Sequence, residues 1–201
     1  MSVAARELIE QFTAEARMAG ATVYEAKSAA EANDYILKLA QEHQIKRVVK
    51  TKSALAKEIG LRDCLAKAGL EVIETDLSDW LAQRAEEKAL NPAEPQAILQ
   101  TARCALRQSY IAADMGISEA ELAIAETGTV VMLCNEGDSR LVSILPLIHV
   151  TLLKSEGIVP TLDAALARLR SLARDKSGGR WPSYVTYLTG RNTTGDIPGA
   201  L

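Results

Sequence analysis

The sequence predicts an α/β fold: a mostly parallel sheet flanked by helices, preceded by an N-terminal helix. Three observations lead there. Apolar-periodic helical stretches alternate with short apolar runs through the first half of the chain, the rhythm of strands joined by helical crossovers. The apolar residues are mainly Ala, Leu, Ile and Val, and aromatic residues are only 4% of the whole, a composition suited to helices packed on a buried sheet. Finally, 48% hydrophobic and 24% charged residues in a chain of 201 supply one core and one solvated surface. The expected organisation is a helical arm over residues 1–20 and a single α/β domain over 21–201.

Each element has its own reason. Ala4, Leu8, Phe12 and Ala16 fall at i, i+4 spacing and form one helical stripe over residues 2–18. "GATVYEA" reads as a short strand. Ser28, with Glu31 three residues on, is a capping-box pattern ahead of the next helix. "KRVVK" is a buried strand, "SALAKEIGLRDCLAKAGL" a helix, a glycine break and a second helix, and "EVIETD" another strand. "LSDWLAQRAEEKA" returns to helix, and the two prolines of "LNPAEPQ" interrupt the rhythm. The helix that follows is expected to run to Gly116 as its C-cap. Strands are expected at 121–125, 129–134 and 147–153, then the amphipathic helix "TLDAALARLRSLARD" and a last strand, "SYVTYLTG". There is no internal repeat and no low-complexity segment.

Composition also excludes. A formal charge of -3 gives no electrostatic reason to expect nucleic acid or an anionic membrane as partner. Cys64, Cys104 and Cys134 are scattered, with no CxxC among them, so local spacing builds neither a zinc site nor an iron–sulfur cluster. Two histidines and no HExxH speak against a metal centre. The first turns carry charges, unlike a signal peptide, and no apolar run approaches the ~20 residues that span a bilayer. The expectation is a cytoplasmic protein.

Three polar loops at predicted strand ends are the candidate ligand cleft, since ligands of open α/β sheets sit beyond the carboxyl ends of the strands. The first holds Lys50, Lys52 and Ser53, where two ammonium groups and a helix start suit an anion; a plainer reading is two solvated lysines and a helix cap. The second is Glu126, Thr127, Gly128 and Thr129, with Asn135, Glu136 and Arg140 downstream. Glu126 could serve as base, nucleophile or acceptor, Gly128 permits close backbone approach, and Arg140 suits a bidentate carboxylate or phosphate. A plain hairpin turn needs only the glycine. His149, inside the apolar run "LIHVTLL", reads as a core histidine or as a lining residue. The third loop, "LTGRNTTGDI", supplies Thr189, Gly190, Arg191, Thr194 and Asp196 as a second anion cradle.

The segments "VVKTKSALAKEIGLRDCLAKAGLEVIETDL", "AADMGISEAELAIAETGTVVMLCNEGDSRLVSILPLIHV" and "LTGRNTTGDI" resemble the LUD domain of the bacterial lactate-utilisation proteins B and C. The first two segments are closer to protein B and the closing "TGDI" to protein C; together they extend over most of residues 20–197. The resemblance implies a fold similar to the sugar-isomerase and CoA-transferase-like superfamily and a role in oxidising L-lactate to pyruvate. It carries to Lys50, Lys52, Ser53, Glu126, Thr127, Gly128, Thr129, Asn135, Glu136, Arg140, Pro146, His149, Thr189, Gly190, Thr194 and Asp196. By analogy with the superfamily, Glu126 would be the catalytic carboxylate. Two departures stand out. The cysteine clusters of protein B are absent, so iron–sulfur clusters would lie in a partner subunit rather than in this chain. The glycine-rich turn and strand that usually follow "TGDI" are also absent, which leaves open a fragment or a variant and a sheet edge that a partner subunit or a second copy would cover.

Two functions follow. One is a ligand-binding component of lactate oxidation, holding a small carboxylate or phosphate-bearing molecule and working with an iron–sulfur partner. The other is an autonomous CoA-transferase or isomerase-like enzyme acting through Glu126. A scaffold with a vestigial cleft is the bland alternative.

Overall fold

The structure, a computed structural model, describes residues 3–77, 95–135, 137–177 and 182–190. In chain order these form α1 (Val3–Met18), α2 (Ala29–Glu42), β1 (Arg47–Lys50), α3 (Ala54–Glu58), α4 (Leu61–Lys67) and β2 (Glu71–Glu74). Then come α5 (Pro95–Ile111), β3 (Met115–Ala120), β4 (Leu122–Ile124), β5 (Thr129–Cys134), α6 (Asp138–Ile144) and β6 (Ile148–Leu153). A 3-10 turn (Ser155–Gly157), β7 (Ile158–Val159), α7 (Leu162–Ser177) and β8 (Tyr184–Thr189) follow. The chain gathers into two compact units, one drawn from the spans 27–118 and 138–150, the other from 1–26, 119–137 and 151–201.

The first unit carries a four-stranded sheet in the order β2-β1-β3-β6. β1 pairs in parallel with β2 on one side and β3 on the other, the arrangement that helix–strand alternation predicts. Val48 and Val49 are fully buried because a central parallel strand is covered on both faces. Val49 packs with Ala102, Leu106 and Tyr110 of α5 and Val142 of α6. The Ser28 hydroxyl accepts the Glu31 amide at 3.2 Å, and the Glu31 carboxylate accepts the Lys27 amide at 2.7 Å, so two donors at the start of α2 are satisfied reciprocally.

Two expectations are corrected here. "GATVYEA" forms no strand; residues 21–26 run without regular structure. α5 ends at Ile111, and Gly116 lies inside β3 rather than capping a helix. The reason is tertiary. A Cβ on Gly116 would stand 2.0 Å from the Val142 carbonyl oxygen, so the glycine admits the backbone of α6 over the sheet. Just before it, the Asp114 carboxylate accepts the Lys46 and Arg47 amides at 2.8 and 2.9 Å and fixes the start of β3 beside β1. Those backbone hydrogen bonds, Arg47 first, hold the Asp114 carboxyl below its ordinary range.

The second unit carries a sheet in the order β7-β4-β5-β8. Here β5 is antiparallel to both β4 and β8, and only β4 and β7 run parallel. α7 places Ala165 and Leu169 against Leu122, Ile124 and Val131, while α1 places Phe12 and Ala16 against Ala123 and Ala125. Helices from distant parts of the chain thus supply the apolar cover.

Candidate functional site

In the first unit the candidate residues Lys50, Lys52 and Ser53 stand at the carboxyl end of β1, beside that of β2. Lys50 is 4% exposed, and its ammonium donates to the Glu74 carboxylate at 2.8 Å and to the Thr51 carbonyl at 3.0 Å. A charge so buried is tolerated because it is paired. Lys52 is different: its side chain is 62% exposed and its ammonium lies 3.8 Å from Asp76. The Ser53 hydroxyl accepts the Ala56 amide at 2.8 Å and caps α3. Thr75, also buried, places its hydroxyl 3.2 Å from the Lys50 carbonyl and 3.1 Å from the Asp138 carboxylate, which joins both strand ends to the start of α6. Arg140, on that helix, is exposed.

His149, on β6, sets Nε2 2.8 Å from the hydroxyl of Ser118 on β3. Burial pushes the imidazole down to about 4, so it is neutral near pH 7 and can donate from one nitrogen and accept on the other.

In the second unit, Glu126 is exposed and its carboxylate accepts the Leu162 amide at 2.7 Å, at the first turn of α7. The Thr161 hydroxyl accepts the Ala164 amide in the same turn, so a charge and a hydroxyl share the orphan donors of that helix start. Thr127 donates to the Thr129 hydroxyl at 2.8 Å, and Thr129 and Thr189 share a hydrogen bond of 2.6 Å, so the "ETGT" turn and the end of β8 meet in a line of three hydroxyls. Gly128 and Gly190 both have positive φ, +63° and +66°. A Cβ on Gly128 would stand 2.3 Å from the Ala16 nitrogen, and one on Gly190 1.9 Å from the Ala19 carbonyl oxygen. The close approach that these glycines allow is therefore made by the end of α1. The Asn135 side-chain oxygen accepts the Ser183 amide at 3.2 Å.

The structure thus brings Lys50, Lys52 and Ser53 together with Glu74, Thr75, Asp76 and Asp138, which the sequence does not mark as site residues. Separately, it brings Thr127, Gly128 and Thr129 together with Thr189 and Gly190. Glu136, Arg191, Thr194 and Asp196 lie outside the described residues. Among the described residues no three His, Cys, Asp or Glu side chains gather as a metal-binding group.

A signal for the missed residues was present. "RVVKTK" and "EVIETD" are adjacent parallel strands, and Arg47–Glu71, Lys50–Glu74 and Lys52–Asp76 are successive cross-strand ion pairs at one register. Written one above the other, the two segments are charge complements.

Comparison with known proteins fits this architecture. The family model of the LUD domain matches residues 9–201. The chain belongs to the LUD domain family. This LUD chain is 33% identical over 216 residues to lactate utilization protein B of Oceanobacillus iheyensis, with 95% of the chain and 45% of that protein covered. It is 35% identical over 206 residues to lactate utilization protein B of Bacillus subtilis, covering 90% and 43%. A protein of Escherichia coli described as an uncharacterized electron transport protein is 32% identical over 205 residues, covering 90% and 43%. The LUD chain therefore spans less than half the length of these relatives. Its fold is similar to the crystal structure of a DUF162 family protein from Deinococcus radiodurans, with a TM-score of 0.57 at 22% identity, covering 94% of this chain and 89% of that one.

Proposed function

We propose that this LUD-domain chain is a cytoplasmic component of bacterial L-lactate utilisation, binding a small carboxylate or phosphate-bearing ligand at the strand ends of its parallel sheet. The observation that carries the reading is the match to lactate utilization protein B over 90–95% of the chain. The charge arrangement supports the ligand class. Lys50 is committed to Glu74 in the interior, whereas Lys52 stands in solvent with a longer separation from Asp76, so an incoming carboxylate competes with Asp76 for the Lys52 ammonium. Oxidation of lactate to pyruvate releases two electrons and two protons; in this reading the electrons go to iron–sulfur clusters of a partner subunit.

Two measurements test it together. Deleting the gene should abolish growth on L-lactate as sole carbon source while leaving growth on glucose unchanged. Titration calorimetry of the purified chain with L-lactate, pyruvate and inorganic phosphate should show binding of at least one, weakened tenfold or more by Lys52→Ala. Unaltered growth on lactate removes the pathway, and flat titrations with all three remove the ligand class.

A further inference from the structure

Apart from Arg140 and Pro146, the helix–loop segment from Arg140 to Leu147 carries none of the candidate site residues, yet it exposes four large apolar side chains within seven residues. Leu141, Ile144, Leu145 and Leu147 are 41%, 38%, 47% and 81% exposed. Ile111, at the end of α5, is 61% exposed. These residues adjoin: α5 and α6 pack on one core cluster through Leu106, Tyr110 and Val142, and the Ile148 amide donates to the Asp114 carbonyl, which brings Leu147 beside the end of α5. Scattered single leucines on a surface need no explanation; five exposed apolar side chains on two adjoining segments point to an interaction site.

Charge says what covers it. The chain has more acids than bases, 26 against 23, but residues 95–113 and 139–153 contain no acid at all and three arginines, Arg103, Arg107 and Arg140, each exposed. Of the described acids that border these spans, Asp114 is engaged by the Lys46 and Arg47 amides and Asp138 by Thr75. A second copy docked through the same face would set arginine against arginine. A membrane surface fits poorly as well: among the described residues the face holds no exposed aromatic side chain, and α6 is only seven residues long. Leucine and isoleucine with arginine at the edge is the composition of a protein–protein contact.

We infer that this face docks a different protein, one whose contact surface sets apolar side chains inside a ring of aspartates and glutamates. The inference is independent of the lactate reading. The test places the photo-crosslinker p-benzoylphenylalanine at Leu147 of the full chain in its native cells, with Met18 as a control position, and identifies the crosslinked peptide by mass spectrometry. The expected result is a peptide of another protein with Asp or Glu beside Leu, Ile, Met or Phe. Its yield should fall at least tenfold in Arg107→Glu plus Arg140→Glu and return when the acids of that peptide are changed to Lys. These are exposed positions, so melting temperature should stay within a few degrees of the parent, confirming folded variants. A crosslink to a second copy, a crosslink indifferent to charge reversal, no crosslink specific to Leu147, or charge-reversible binding to vesicles of 20% phosphatidylserine in place of a protein would each overturn it.

Discussion

The Lys50 ammonium and the Glu74 carboxylate lie 2.8 Å apart at matched positions of two parallel strands, with both side chains withdrawn from solvent. Removing either partner leaves an uncompensated buried charge. Glu74→Leu or Lys50→Met should each destabilise the fold by about 3–5 kcal/mol, and the double variant should recover most of the loss. Urea denaturation of the four proteins checks it; equal losses in single and double variants would show that packing, not charge, sets the cost. Lys52→Ala, on the exposed pair, should change stability by less than about 1 kcal/mol.

Gly128→Ala and Gly190→Ala should both destabilise, because at a positive φ the first adds a Cβ against the α1 backbone at Ala16 and the second against the Ala19 carbonyl just after that helix. A cost of about 2 kcal/mol or more is expected at each, with faster amide exchange through α1. If exchange in α1 is unchanged while ligand affinity collapses, the glycines serve a ligand instead of the helix.

Glu126→Ala should cost about 1 kcal/mol through loss of the acceptor at the start of α7, with Glu126→Gln retaining part of it. Incubation of the native chain with acetyl-CoA should leave no mass adduct on Glu126. Appearance of an acyl or CoA adduct there would instead identify a reacting carboxylate.

Acid should destabilise the protein in two steps. His149 is held at about 4 by burial, below the ordinary value of 6.5 expected in the unfolded chain. Above pH 6.5 both states are neutral and the full stability is present. Between 6.5 and 4 only the unfolded chain gains the proton, so stability falls as pH falls, by up to about 3 kcal/mol, and then levels off. Asp114, whose carboxyl is lowered from 3.8 by its two backbone hydrogen bonds, contributes below that window, its stabilisation being lost as pH falls through its folded value. His149→Gln should flatten the upper step in a series of denaturation curves while leaving the lower one; persistence of the upper step would assign it to another group.

What the residues determined unaided was local and periodic. The stripe of Leu8, Phe12 and Ala16, the Ser28–Glu31 cap and the apolar run at Val48 and Val49 are written at spacings of a few residues, where backbone geometry alone fixes which side chains share a face. Tertiary structure decided the rest. Gly116 looked like a helix cap and is a strand residue because Val142, 26 positions on, needs the space. Gly128 and Gly190 looked like ligand contacts, and the end of α1 lies against them. Lys50 and Lys52 look alike in sequence, yet the ion pair of the first is buried and the second reaches its partner from an exposed side chain, since only the packing around a charge sets how much water reaches it.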